Sequence, residues 1–157
     1  MHSYVIVWDL DGCIADWAHR VPLLEAKDYD AFYAAMSKDE PIAAGAVIYN
    51  LLATQSMVLG HAIQEAKLEA DIPFVDIITC RPEHVRHKTE KWMEDNGIIA
   101  PRSMHMRANN DNRPHVEIKM EIYRKRYREG EVLAVFDDSP EIVEAWRKAG
   151  VACYQVG

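Results

Sequence analysis

Apolar positions along the chain fall into short runs separated by longer stretches with helical spacing. The short runs are rich in β-branched and aromatic residues, which is typical of buried strands. They cover residues 4–8, 74–79, 103–106 and 132–136, and residues 151–156 form a candidate fifth strand. The pattern therefore predicts four or five buried strands distributed over the whole chain.

The stretches between these runs predict helices. Helical spacing covers residues 43–52, 55–70, 83–96, 115–127 and 140–149. The first two form either one long helix or two helices that break near Gly60. Ser139 before Pro140 suits an N-cap followed by proline in the first turn, and Gly97 and Gly150 suit positions just after a helix.

Strands that alternate with helices predict an α/β fold, a doubly wound parallel sheet. The length of 157 residues suits one domain with its own core, so we expect a single domain over residues 1–157. An amphipathic segment at about residues 13–42 adds at most a small helical cap. The aromatic side chains Tyr29, Phe32 and Tyr33 of this segment favour core packing over stacking on a base.

Composition narrows the class of partner. Hydrophobic residues make up 49% of the chain, charged residues 27%, and the net charge is −7, which is ordinary for a globular protein. This charge argues against a broad basic surface that binds long nucleic acid without specificity. It leaves room for a local basic pocket that binds a phosphorylated end or a nucleotide.

Three cysteines and the N-terminal residues indicate the compartment. Cys13, Cys80 and Cys153 are far apart and match no zinc spacing, so we expect buried, reduced thiols and a cytoplasmic location. The N-terminus has no signal-peptide pattern, and no apolar run approaches the ~20 residues that span a bilayer. We therefore expect no membrane partner.

Two acidic pairs follow predicted strands directly. Asp9 and Asp11 come after the first strand, and Asp137 and Asp138 come after the strand at residues 132–136. Because the carboxyl ends of parallel strands meet at one edge of a sheet, we expect these four carboxylates to lie close together. Such a cluster raises the pKa of each acid, and a hard divalent cation relieves the repulsion. The pairs favour a Mg²⁺ site with these four ligands over solvated loop acids.

Protein-bound Mg²⁺ commonly completes its shell with water and a substrate phosphate, which predicts a phosphate ester as substrate. Asp9 is then the candidate nucleophile. Asp11, two residues later, is the candidate general acid and base. Thr79 after the second strand donates a hydrogen bond to the phosphoryl group, and Lys119 neutralises charge on that group and on Asp9.

These residues resemble the four ordered motifs of haloacid dehalogenase (HAD) superfamily phosphohydrolases. A closer resemblance covers most of the chain: "ITCRPEHVRHKTEKWMEDNGI", "MRANNDNRP" and "AVFDDSPEIVEAWRKAGVACYQV" are similar to the 3′-phosphatase domain of phage-type polynucleotide kinase/phosphatase enzymes. The resemblance implies a HAD-like, Rossmannoid fold and a Mg²⁺-dependent phosphomonoesterase. For a phage protein, it places the enzyme in the host cytoplasm.

The resemblance also implies a role for each matching residue. Asp9 is the nucleophile, and Asp11 is the acid and base that ligates metal through its backbone carbonyl. The remaining implied residues are the phosphate stabilisers Thr79 and Lys119, the phosphate-contacting Arg81, and the metal-side acids Asp137 and Asp138. Asp111 and Arg113 match a recurrent pair in a polar loop, which indicates a substrate-binding or structural role. Arg20, in the predicted cap, is a further candidate contact to substrate.

The sequence departs from the family pattern in three places. Cys80 stands where the family usually has glycine, residues 55–71 look like an insertion, and no "GxxxxGK[ST]" occurs, which predicts no P-loop kinase domain in this chain. The favoured activity is removal of a 3′-phosphate from nucleic-acid ends. The alternative is a nucleotidase acting on free nucleoside or deoxynucleoside monophosphates. A non-catalytic phosphate-binding module is a third hypothesis, disfavoured because Asp9 and Asp11 are both present. The oligomeric state is not predicted.

Overall fold

The computed structural model describes residues 4–66 and 72–157. Seven strands are numbered along the chain: β1 (Val5–Trp8), β2 (Ala15–Asp16), β3 (Glu40–Pro41), β4 (Phe74–Pro82), β5 (Ser103–Arg107), β6 (Val132–Asp137) and β7 (Cys153–Gln155). Five of them form the central sheet in the order β5-β4-β1-β6-β7, and every neighbouring pair is parallel. The predicted parallel sheet is confirmed, including its candidate fifth strand.

In the described residues, six α-helices lie between the strands: α1 (Val21–Glu25), α2 (Tyr29–Ala34), α3 (Ala43–Ala66), α4 (Arg86–Asp95), α5 (His115–Arg126) and α6 (Pro140–Lys148). Short 3₁₀ turns at Ala18–Arg20, Ala35–Lys38 and Glu83–Val85 precede or follow them. Helices α3 and α4 cover one face of the sheet, and α5 and α6 cover the other. The molecule therefore has the three layers of a doubly wound fold.

Alternation along the strands divides the core into two halves. Trp8 and Ile77 contribute to the half under α3 and α4, whereas Val7 and Ile78 contribute to the half under α5 and α6. Successive strand residues point to opposite faces, so two neighbouring apolar residues fill both halves. The ring of Trp8 stacks on Phe136 at a centroid distance of 4.2 Å, which ties β1 to β6.

Helix α3 continues without a break through Gly60 over its 24 residues. This settles the choice left open above in favour of one helix, although the predicted end at residues 67–70 lies outside the described residues. The expectation that no segment could span a bilayer is corrected, because Ala43–Ile63 is long and apolar enough by length and composition. Core helices can also be this long and apolar, so the finding is weak evidence for a membrane. Only 28% of the most apolar window of α3 is buried.

The segment between β2 and β3, here called the cap segment (residues 15–41), leaves the sheet and returns to it. Its two ends pair in antiparallel fashion, with Ala15 opposite Pro41 and Asp16 opposite Glu40. Between them, the side chain of Asp28 accepts a hydrogen bond from the backbone N–H of Ala31 and caps α2. The paired base fixes where the cap segment meets the edge of the main sheet.

Local details of the sequence are mostly confirmed. Gly97 and Gly150 follow α4 and α6 with positive φ, as predicted. Ser139 occupies the N-cap position of α6, but its side chain makes no capping hydrogen bond. The cysteines are free thiols; Cys13 and Cys153 are buried, whereas Cys80 is only half-buried.

Candidate active site

The predicted site residues converge on the carboxyl edge of the three central strands. Asp9 follows β1, Thr79 and Arg81 lie in the last part of β4, and Asp137 ends β6. The order β4-β1-β6 places Asp9 between the other two strands. Lys119 reaches the same edge from α5, where it is buried. The parallel topology thus brings five chemically active side chains together.

Lys119 bridges two of the predicted acids. Its Nζ lies 3.0 Å from Oδ1 of Asp9 and 2.6 Å from Oδ2 of Asp137. Burial alone lowers the pKa of Lys119, but the charges of Asp9 and Asp137 raise its pKa above the ordinary value. Lys119 is therefore a permanent cation held beside the candidate nucleophile.

Asp9 carries a carboxylate whose charge is incompletely stabilised. Burial and the charges of Asp137 and Asp11 raise the pKa of Asp9, and Lys119 lowers it; together they bring the pKa of Asp9 to about 7. Its backbone N–H donates to the carbonyl of Phe136 at 2.9 Å, which fixes the main chain between the strands. A reactive carboxylate is thus held rigidly at the centre of the site.

Asp11 is bound by two arginines. Arg81 donates from Nη2 to Oδ1 at 2.6 Å and from Nε to Oδ2 at 2.9 Å, and Arg20 donates from Nη2 to Oδ1 at 2.9 Å. Burial alone raises the pKa of Asp11, but the charges and hydrogen bonds of Arg81 and Arg20 lower its pKa below the ordinary value. The structure thus places Arg20 and Arg81 in the same cluster as Asp11, and their contacts to substrate stay a prediction.

Asp39, which the sequence did not single out, holds both arginines. Its carboxylate accepts hydrogen bonds from Arg20 Nε and Nη2, both at 2.7 Å, and from Arg81 Nη2 at 2.9 Å. Its backbone carbonyl accepts from Nε1 of Trp92 at 2.7 Å, which anchors the end of the cap segment on α4. No sequence signal pointed to Asp39, because its partners lie 19 and 42 positions away along the chain.

One donor in this cluster has no acceptor. Nη1 of Arg81 is buried and has no hydrogen-bond partner among the described residues. A buried donor without an acceptor is costly and needs an explanation. Nearby, the hydroxyl oxygen of Thr79 accepts from the backbone N–H of Arg81 at 3.2 Å, which leaves the hydroxyl proton of Thr79 able to donate. Both groups suit an incoming anionic oxygen.

The side chains that could hold a metal ion include those of Asp9 and Asp138, while metal binding by Asp11 through its backbone carbonyl stays a prediction. A ligand atom from each of Asp9, Asp138 and Cys13 lies within 4.8 Å of the others. Burial and the charge of Asp137 raise the pKa of Asp138, and burial raises the pKa of the Cys13 thiol, so the cysteine stays neutral. Asp9 and Asp138 offer two carboxylate oxygens in a site where acidic side chains outnumber basic ones. This arrangement fits Mg²⁺, which favours oxygen ligands.

A glycine makes room for this pair of acids. Gly12 has a φ of +84°, and a Cβ at this position would lie 2.0 Å from Oδ2 of Asp138. Only glycine therefore allows the Asp138 carboxylate to approach the chain that follows β1. The predicted ligands Asp11 and Asp137 present their carboxylates elsewhere, to the arginines and to Lys119 respectively.

Asp111 and Arg113, the pair predicted in the polar loop, bind each other. Arg113 donates from Nε and Nη2 to the carboxylate of Asp111 at 3.0 and 2.7 Å, and from Nη1 to Glu121 at 2.6 Å. The hydrogen bond from Arg113 lowers the pKa of Asp111 to about 2. The structure does not bring this pair into the Asp9 cluster, and its role towards substrate stays a prediction.

Cys80, one of the three departures seen in the sequence, lies between Thr79 and Arg81. Burial raises the pKa of its thiol to about 12, so the group is neutral near neutral pH. The backbone carbonyl of Cys80 accepts from Nε of Arg107 at 2.9 Å. Arg107 also donates to the hydroxyl of Tyr33 at 2.8 Å, which links the cap segment to the end of β4.

The fold and this cluster define a HAD-type phosphatase, and comparison with known families agrees. The family described as the polynucleotide kinase PNKP phosphatase domain matches residues 3–157, and the chain belongs to it. This finding favours an enzyme over the non-catalytic module considered above.

Two solved structures share the fold. The structure of the Pnkp1/Rnl/Hen1 complex matches at a TM-score of 0.68 and 24% identity, covering 98% of this chain and 45% of that chain. The structure of the Pnkp1/Rnl/Hen1 RNA repair complex matches at a TM-score of 0.70 and 23% identity, covering 98% and 42%. The chain thus spans less than half the length of these relatives.

Proposed function

We propose that the protein removes the 3′-phosphate from nucleic-acid ends by Mg²⁺-dependent hydrolysis through an aspartyl-phosphate. The family match across residues 3–157 carries the choice of a nucleic-acid end as substrate. The unpaired Nη1 of Arg81 supports an anionic substrate, because it offers a buried donor to a phosphate oxygen.

The phosphate binds among the donors that meet at the carboxyl edge. Arg81 Nη1, the Thr79 hydroxyl and Lys119 contact its oxygens, and they compensate the charge that spreads over these oxygens in the transition state. Asp9 and Asp138 would hold Mg²⁺, which neutralises charge on the phosphate and on Asp9 when it is bound.

The first chemical step transfers the phosphoryl group to the protein. A carboxylate oxygen of Asp9 attacks phosphorus and the bond from phosphorus to the 3′ oxygen breaks. The departing oxygen takes a proton from Asp11, which gives a free 3′-hydroxyl and an aspartyl-phosphate. Lys119, 3.0 Å from Asp9 in the resting site, stabilises the charge that remains on the phosphoryl oxygens.

The second step returns the enzyme to its starting state. Asp11, now a carboxylate, takes a proton from water, and the water oxygen attacks phosphorus. The bond from phosphorus to Asp9 breaks, which releases inorganic phosphate and restores both aspartates. Without substrate, the arginines keep Asp11 ionised. A bound phosphate dianion competes for Arg81 and repels Asp11, which raises the pKa of Asp11, so Asp11 takes a proton from solvent before the first step and returns it to solvent once phosphate has left.

A nucleotidase acting on free nucleoside monophosphates is the second candidate, and the net charge of −7 favours it. The test compares kcat/KM for a 3′-phosphorylated oligonucleotide, the same strand with a 5′-phosphate, and nucleoside 3′- and 5′-monophosphates. We expect the 3′-phosphorylated oligonucleotide to be the best substrate. A preference for mononucleotides by about 100-fold, nearly 3 kcal/mol of transition-state discrimination, would overturn the proposal.

A further inference from the structure

A cleft of about 160 Å³ lies between α4 and the 3₁₀ turn Ala35–Lys38 of the cap segment. We call it the α4–cap cleft, and its lining includes Ser37, His87, Lys88, Lys91, Trp92 and Asp95. None of these residues takes part in the chemistry described above. The cleft is therefore a separate feature whose position and charge need an explanation.

The lining of the α4–cap cleft has two lysines and one aspartate, a net positive charge on a protein whose net charge is −7. Lys88 is exposed and forms no ion pair within residues 4–66 and 72–157. Lys91 lies three residues further along the same face of α4 and pairs with Asp95, an exposed contact that water screens strongly. Lys88 and Lys91, about one helical turn apart, thus line the cleft together with Asp95.

The cleft adjoins the arginines of the active site. Helix α4 follows the carboxyl end of β4, which carries Thr79 and Arg81. Trp92 lines the cleft, and the Arg81 guanidinium lies 5.7 Å from the centre of its ring. The same indole donates to the backbone of Asp39, two residues after Ser37. One tryptophan therefore separates the cleft from the site that binds the terminal phosphate.

The size of the cleft limits what it holds. Pockets that enclose whole ligands usually measure roughly 300–1,000 Å³, so this cleft is too small for a nucleotide but large enough for one phosphate group. We propose that the α4–cap cleft binds an internucleotide phosphate of the strand whose 3′ end lies at Asp9. The proposal rests on the proposed function, and it adds the path of the substrate strand across the protein.

Lysines bind phosphates as point charges and read no bases. Occupancy of the cleft therefore gives affinity that is independent of sequence and falls with salt. It also makes an oligonucleotide a better substrate than a mononucleotide, because only the oligonucleotide has an internal phosphate to place there.

Binding of a product strand tests the cleft without any turnover. A fluorescent single strand of about ten nucleotides with a 3′-hydroxyl is titrated with wild type and with Lys88→Gln/Lys91→Gln at several salt concentrations. We expect the double variant to raise Kd about tenfold at low salt and to flatten the salt dependence by about 0.7 per lysine lost. Lys148→Gln is the matched control, since Lys148 also pairs within its helix, with Glu144 on the opposite face of the sheet.

These experiments test phosphate binding in the cleft separately from the proposed phosphatase activity. An unchanged Kd and salt slope in the double variant, or no binding by wild type, overturns the cleft. With substrates, the double variant should lose about tenfold in kcat/KM on a 3′-phosphorylated strand, through KM, and nothing on a nucleoside 3′-monophosphate. An equal loss on both substrates also overturns it. Wild type that binds the strand yet leaves its 3′-phosphate intact refutes the proposed function and leaves the cleft standing.

Discussion

The guanidinium of Arg81 donates to both carboxylate oxygens of Asp11, with Nη2 2.6 Å from Oδ1 and Nε 2.9 Å from Oδ2. Asp11, the proposed acid and base, thus binds two of the three guanidinium nitrogens, and the third, Nη1, is left without a partner among the described residues. In the proposed reaction, a substrate phosphate therefore meets an arginine that is already oriented, and it competes with Asp11 for the positive charge of that arginine.

Replacing Arg81 by lysine should lower kcat/KM by about 100-fold, because a single ammonium cannot reproduce the planar, two-pronged contact. Steady-state rates on a generic aryl phosphate measure this loss. Arg102→Lys is the matched control, since Arg102 makes a similar two-pronged contact with Asp76 outside the Asp9 cluster. Equal losses of kcat/KM in both variants would mean that Arg81 acts only on folding.

Asp39→Asn should lower kcat/KM by roughly tenfold to 100-fold, because an amide no longer neutralises Arg20 and Arg81 or fixes them together. The backbone contact from Trp92 survives this change, so the chain stays in place. Asp28→Asn, in the same cap segment, is expected to keep full activity because asparagine also caps a helix. Wild-type rates in Asp39→Asn would refute the role given to Asp39.

Asp76 is a buried aspartate outside the proposed catalytic cluster, and its contacts point to a structural role. It is fully buried in β4 and accepts from Arg102, from the Ser103 backbone and from the Tyr127 hydroxyl. We expect Asp76→Ala to lower the free energy of unfolding by about 3 kcal/mol, since it leaves the arginine and the phenol without their acceptor. Urea denaturation measures this. Glu83→Ala, which breaks an exposed pair with Arg86, should cost less than about 1 kcal/mol.

The raised pKa of Asp9 predicts how stability depends on pH. The folded protein keeps a proton on Asp9 up to about pH 7, whereas the unfolded chain loses it near its ordinary pKa of 3.8. Without metal, this term makes stability fall as pH rises from about 4 to 7 and leaves it level above 7. Mg²⁺ must displace the same proton, so its stabilising effect should be larger at pH 8 than at pH 5.

Thermal unfolding with and without Mg²⁺ at the two pH values measures this dependence. Asp9→Asn is the control, because it removes both the proton and a metal ligand, and its melting temperature should respond little to Mg²⁺. A Mg²⁺ shift that is the same at pH 5 and pH 8 in wild type would contradict the assignment of Asp9 as a metal-side acid.

Most of the residues at the carboxyl edge of the sheet were predictable from the sequence, because a parallel topology alone brings them together. Asp9 follows a strand, Asp137 ends one and Thr79 lies near the end of a third, and parallel neighbours place such residues side by side. The direction of each side chain was not predictable in this way. Asp137 turns to Lys119, and this choice depends on which cations other elements supply.

Contacts made by the cap segment escaped prediction for a related reason. Asp39 lies just after a short 3₁₀ turn, and nothing in its neighbours indicates that it binds Arg20 and Arg81. Ser139 shows the converse, because its sequence context predicts a side-chain cap for α6 that the structure does not form. Its backbone N–H donates to the Asp137 carboxylate at 3.1 Å while its side chain leaves the helix uncapped.

The central claim is that Asp9 attacks phosphorus, and acid quenching of the enzyme during turnover tests it most directly. Acid preserves an acyl phosphate long enough for peptide mapping with a substrate radiolabelled in its phosphate. The account predicts label on the peptide that carries Asp9, and neither label nor turnover in Asp9→Asn. Label on a different residue, or turnover of Asp9→Asn at the wild-type rate, would contradict it.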